Sequence, residues 1–176
     1  MIGTYVDTLF AFKLPEFTPL FNIRAHDSIL CMQVISGPHK FVALGQSQGW
    51  LDIFKVQGNQ NNQAMIVSSL QLPHSGYINQ IVLSHTQDKL ILACEHGVQV
   101  VSLDKTKKNV SIDNEKYLTG KLVSQIFQFD SQTLIVSVFN ENGYRRINRV
   151  TEAIELIRKS VSNEGPSEDS EEACEL

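Results

Sequence analysis

The sequence contains no run of about 18 apolar residues, so a membrane-spanning helix is excluded. Cysteine is scarce. The three that occur, Cys31, Cys94 and Cys174, form no CxxC pair and no even set, which removes a disulfide framework and a zinc or redox pattern. Cys31 and Cys94 lie in apolar runs and read as small buried thiols, whereas Cys174 lies in an acidic stretch. The first fifteen residues carry Asp7 and Lys13 and lack a basic start followed by an apolar core. A protein that is not secreted, cytoplasmic or nuclear, is therefore expected.

Chemistry-bearing motifs are missing as well. GxSxG, HExxH, GxxxxGK[ST] and GxGxxG are all absent, and the five histidines have no ligand spacing. No enzymatic activity, no cofactor and no metal are expected. Glu95 and His96 look like an acid–base pair, but neighbours on a strand point to opposite faces. An excess of positive charge is missing too: fifteen bases stand against nineteen acids, a net charge of −4. Bases cluster within residues 105–108 and at Arg145 and Arg146 without interleaved aromatic platforms beyond Tyr144, which argues against nucleic acid as a partner. Six acids and no base fall in the last thirteen residues, so residues 1–163 carry fifteen bases against thirteen acids, a net of +2.

What is present is a repeat. The 176 residues are 42% hydrophobic, enough to bury a core without staples. Three segments align: 40–56 (KFVALGQSQGWLDIFKV), 89–104 (KLILACEHGVQVVSLD) and 133–150 (TLIVSVFNENGYRRINRV). Each is an apolar run, a short polar turn, a glycine and a second run. The glycines, Gly49, Gly97 and Gly143, are 48 and 46 residues apart. A further run precedes each pair, at 28–34, 77–83 and 122–129. β-Branched residues in runs of four to seven, bounded by Gly, Pro, Ser, Asp or Asn, read as strands. A fourth strand per unit is expected at 65–70, 109–112 and 154–157. A helix competes for the last, since Ile154, Ile157, Arg158 and Val161 share a helical face, but the repeat register favours a strand.

The expected organisation is a repeat segment over 1–161, with units at about 22–70, 72–115 and 118–158, and a disordered acidic tail over 162–176. Residues 4–12 alternate well enough to be a last strand from a preceding unit. Residues 57–63 form a polar, low-complexity loop.

Units of about 45 residues with three or four short strands resemble a β-propeller, and in particular the WD-repeat family. The likeness rests on His26 and His74 ahead of the first strands of units one and two, and on the glycine turns. The implied fold is all-β, a partial propeller of three to four antiparallel blades; another propeller family with a similar period fits the same pattern. The sequence departs from the family where Phe54-Lys55 replaces Trp-Asp, and where Leu44 and Gln48 stand at the Ser and Asp positions. Unit one is then expected to lack the family's His–Ser–Asp–Trp hydrogen-bond set, with blade cohesion coming mainly from apolar contacts.

The resemblance implies a non-catalytic protein–protein interaction scaffold; the alternative is the terminal regulatory propeller segment of a larger multidomain enzyme such as a kinase or GTPase. Partner-binding candidates are the turn residues Gln46, Gln48, Trp50, His96 and Asn142, with Tyr144, Arg145 and Arg146, since Trp, Tyr and Arg anchor interfaces. His26, His74, Gly49, Gly97 and Gly143 are expected to brace loops. Expected partners are other proteins, including a chain that completes the ring, or a second copy of this one.

Overall fold

Runs of alternating or continuous apolar residues become strands throughout the computed structural model, which describes residues 2–35, 40–56, 64–104, 106, 109–141 and 143–157. The acidic tail at 162–176, the polar loop at 57–63 and Asn142 lie outside the described residues. The chain is all-β. A one-turn 3-10 segment, Ser47–Gly49, is the sole helical element among the described residues.

Four antiparallel sheets follow one another along the chain, and each strand pairs only with its neighbours in sequence. The first sheet is β1 (Ile2–Tyr5), β2 (Thr8–Lys13) and β3 (Thr18–Arg24). The second is β4 (Ile29–Ile35), β5 (Lys40–Gln46), β6 (Trp50–Val56) and β7 (Ala64–Gln71). The third is β8 (Ile78–Leu83), β9 (Lys89–Cys94), β10 (Gly97–Leu103) and β11 (Val110–Tyr117). The fourth is β12 (Val123–Gln128), β13 (Thr133–Val138), β14 (Tyr144–Asn148) and β15 (Ile154–Ile157). The helix weighed for the last segment does not form there: Ile154 pairs with Ile147, and Glu152 at φ 56° turns the chain back.

The sheets stack face to face. Val42, Leu44 and Phe54 of the second sheet meet Leu9 of β2 and Ala25 just after β3. Leu51, Ile53, Ile78, Leu90 and Leu92 fill the next interface, and Ile91, Val98, Val123, Leu134 and Ile147 fill the third. This explains the continuous apolar runs in β9 and β10, which bury residues on both faces. The first strands β4, β8 and β12 lie side by side, placing them at the inner edge of the stack.

The amino-terminal expectation needs correction. Residues 4–12 are not one strand: Val6, at φ 51°, turns the chain, and a full hairpin and a third strand follow. The Ala25 N–H donates to the Asp7 carbonyl at 2.8 Å, as the Leu72 N–H donates to the Gly49 carbonyl at 2.9 Å. The Val6–Asp7 turn is thus equivalent to the Gly49 turn. β1, β2 and β3 therefore hold the second, third and fourth places of a blade.

Polar ties also join the last two sheets. Lys89 Nζ lies 2.9 Å from Asp113 and 3.1 Å from Glu115, and Arg149 Nη2 donates to Glu115 at 2.9 Å. The Lys89 hydrogen bond holds the Asp113 carboxyl below its usual range. Burial pushes Glu115 upward, but hydrogen bonds from Arg149, Tyr117 and Lys89 outweigh it and leave that carboxyl low as well. Carboxyls depressed in the folded state stabilise it above their unfolded pKa of about 4, and that contribution is lost as pH falls through the lower folded values. The wild-type melting temperature should therefore fall below about pH 4. Arg149→Ala should shrink the part of that fall that Glu115 supplies, as a pH series of thermal melts will show.

Burial pushes the Cys31 and Cys94 thiols up to about 12. Neither should react with a thiol reagent in the native chain at neutral pH, while both should react once the chain is unfolded. Per-residue labelling read by mass spectrometry checks this.

Candidate functional site

The turns between second and third strands and the loops between sheets meet at one end of the stack. Backbone hydrogen bonds stitch them together: Ser47 N–H to Ser28 O, His96 N–H to Ser75 O, Gly120 N–H to His96 O, and Phe139 N–H to Leu122 O. Gly49 is required here. Its φ is +74°, and a Cβ would sit 2.9 Å from the Leu72 carbonyl. Gly97 is similar, at φ +128° with the Tyr117 carbonyl 2.7 Å from a Cβ. Gly143 also has a positive φ.

The centre of this end is a buried carboxylate that the sequence reading passed over. Asp52 on β6 is fully buried and accepts from His26 Nδ1 at 2.9 Å, the His26 N–H at 3.3 Å and Gln46 Nε2 at 2.7 Å. Gln46 Oε1 in turn accepts from the Asp27 N–H at 2.6 Å. The His26 ring stacks on the Trp50 indole, centroids 4.5 Å apart and planes 9° from parallel. Unit one thus builds a hydrogen-bond set of its own in place of the family's His–Ser–Asp–Trp set, with Gln46 as a member and the acid on the third strand instead of in the turn. Gln46 is correspondingly not a surface residue; it is buried and part of this set.

Strand register explains why the set occurs once. Gln46 pairs with Ile29 and Asp52 with Leu44; the equivalent pairs place Cys94 and Gln99 in the third sheet, and Val138 and Arg145 in the fourth, so no carboxylate stands there. No carboxylate awaits His74, which is exposed at φ 59° and whose ring makes no hydrogen bond among the described residues. The loop-bracing role expected of it falls to His26 alone.

Gln48 and His96 are exposed on the loop-bearing end, beside the half-buried Trp50. The Tyr144–Arg146 cluster does not act as a unit, because alternate residues face opposite sides of β14. Arg145 donates to Glu141 at 2.8 Å, with Lys121 3.4 Å from the same carboxylate. The Arg145 hydrogen bond holds the Glu141 carboxyl below its usual range. Tyr144 and Arg146 instead share the outer face of the fourth sheet with Phe127 and Ile135. Among the described residues, no group of three or more His, Cys, Asp or Glu side chains is placed to hold a metal ion, and no helix is long and apolar enough to cross a membrane.

No protein-family model matches the sequence, and no curated protein is similar to it in sequence. Among solved structures, the chain is similar to the β-propeller domain of Cps50 (Swd1) from Myceliophteria thermophila, at a TM-score of 0.55 and 13% identity. The match covers 73% of this chain and 40% of that one, so the chain spans less than half the length of that domain. With its stacked four-stranded meanders, glycine turns and inner strands side by side, the chain has the fold of a β-propeller segment, four consecutive blades of which the first has three strands.

Proposed function

We propose that the chain is a non-catalytic protein–protein interaction scaffold whose partners are other proteins, including one that completes the ring or a second copy of this chain. The observation that carries this reading is the outer face of the fourth sheet. Phe127 there is 64% exposed, and Ile135, Tyr144 and Ile157 lie on the same side. In the three interfaces between sheets, equivalent faces are packed dry. An apolar sheet face rimmed by polar groups such as Arg146 and Glu155 suits a protein partner better than solvent. The loop-bearing end, with Gln48, Trp50 and His96 on hydrogen-bonded loops, supplies a second, preorganised surface.

Affinity isolation of the tagged chain from its source, followed by crosslinking and mass spectrometry, tests the reading. A stoichiometric protein partner is expected, with crosslinks near Gln48 and Trp50 or on the outer face of β12–β15. A chain that migrates as a monomer with no stoichiometric partner contradicts it.

A further inference from the structure

The outermost strand of each blade, β3, β7, β11 or β15, has an outer edge with which no strand pairs among the described residues. Such edges join other chains unless proline, charge or short length prevents it. Three of the four carry these devices. β3 has Pro19 beside a bulge, β11 has Asp113, Glu115 and Lys116, and β15 is four residues long with Glu155 among them. β7 (AMIVSSLQ) has eight residues, no charge and no proline. It closes an internal blade, with a sheet stacked on either side. A bulge opposite Ile53 and Phe54 interrupts its first half, and residues 68–71 are regular. The Leu72 N–H donates to the Gly49 carbonyl, so by alternation the Ser69 and Gln71 N–H and C=O groups point away from β6.

The next blade adds selectivity. β7 lies beside β11. Met65 and Leu70 pair with Lys55 and Leu51, on the side of the second sheet that faces the third. Ile112 and Lys116 of β11 pair with Val101 and Gln99, on the side that faces back towards β7. Met65 is 50% exposed and Ile112 39%. Lys116 is exposed near the loop-bearing end, with no carboxylate in ion-pair range among the described residues.

We propose that the outer edge of β7 is a strand-addition site for an extended segment of another protein. The segment pairs antiparallel with β7, running away from the loop-bearing end. Its alternate apolar side chains lie over Met65 and Ile112, and a carboxylate at its amino-terminal end meets Lys116. Main-chain hydrogen bonds at Ser69 and Gln71 supply affinity, and the side chains facing β11 supply selectivity. A segment led by lysine or arginine meets Lys116 with like charge, and a proline opposite Ser69 cannot donate to the ladder. A second copy of β7 lacks the carboxylate, which makes another protein the fitting occupant. This rests on the scaffold reading and adds to its surfaces a third, with the class of segment that fits it.

The test is hydrogen exchange read residue by residue by NMR on the full chain. The probe is an eight-residue synthetic peptide with glutamate first and then threonine and valine in alternation. Alone, the Ser69 and Gln71 amides should exchange much faster than those of Leu70 and Leu72, which donate inward. With millimolar peptide they should become protected, while the exchange of β3 and β15 stays unchanged. Lys116→Glu replaces an exposed, unpaired side chain, so the fold should persist by circular dichroism and affinity for the peptide should fall about fivefold. A peptide with glutamine in place of the glutamate should bind wild type and Lys116→Glu alike. Ser69→Pro, at an outward N–H, should abolish binding. The proposal is overturned if Ser69 and Gln71 are already protected in the chain alone, which means that a second copy or the chain itself covers the edge. It is equally overturned if the peptide leaves them unprotected, or binds Lys116→Glu as tightly as the wild type. A stoichiometric partner crosslinked elsewhere, with the β7 amides still unprotected, removes this site and leaves the scaffold reading standing; absence of any partner removes both.

Discussion

Asp52→Ala is expected to destabilise the chain by about 3 kcal/mol, because one buried carboxylate satisfies three donors. The loss is larger than that of one hydrogen bond. The Gln46 amide stays buried with its Nε2 unpaired, and the His26 ring loses the partner that fixes its plane against Trp50. Asp52→Asn keeps the shape and one acceptor oxygen, so it should cost less. Trp50 is the single tryptophan, which gives the prediction a second readout: its fluorescence should change in Asp52→Ala before global unfolding begins. Urea denaturation followed by both tryptophan emission and circular dichroism separates the two. If the substitution costs less than about 0.5 kcal/mol, as an ordinary surface change does, Asp52 is not the brace described here.

The second large effect is expected at Phe54→Ala, about 3–5 kcal/mol. Phe54 is fully buried and packs with Leu9, Val42 and Leu44, so the change opens a cavity between the first and second sheets. Because each sheet packs chiefly on its neighbours in the chain, the damage should be directional. Proteolysis or hydrogen exchange should show β1–β3 loosening well before β8–β15. The equivalent truncation at Leu92, between the second and third sheets, should instead destabilise both halves together.

The three complete blades were legible in the sequence because their signal is redundant. Apolar runs, glycine turns and a period near 47 residues all agree at Gly49, Gly97 and Gly143. The first blade escaped because its turn carries Val6 and Asp7, and a valine at positive φ leaves no sequence mark. The Asp52 brace escaped for a different reason. In WLDIFKV a single acid among apolar residues reads as the solvent side of a strand, and only the stacked first sheet and the loop at His26 show that it points inward. Gln46 was misplaced by the same logic: a polar residue at a strand end reads as a surface turn until its buried partner is known. The split of Tyr144, Arg145 and Arg146 between two faces follows from strand alternation, which becomes decisive once the neighbouring sheets are in place.

The central claim is that four blades stack in series with faces left open to partners, and light scattering of the purified chain at micromolar concentration tests it most directly. Each Å² of apolar face left wet forfeits about 25 cal/mol, so a few hundred Å² over Phe127, Ile135 and Ile157 costs many kcal/mol against a domain margin of about 5–15 kcal/mol. The account predicts species heavier than the 19.8 kDa chain, and a shift towards that mass when Phe127→Glu is introduced into the outer face of the fourth sheet. A sharply melting 19.8 kDa monomer, with Phe127→Glu behaving like the wild type, contradicts it.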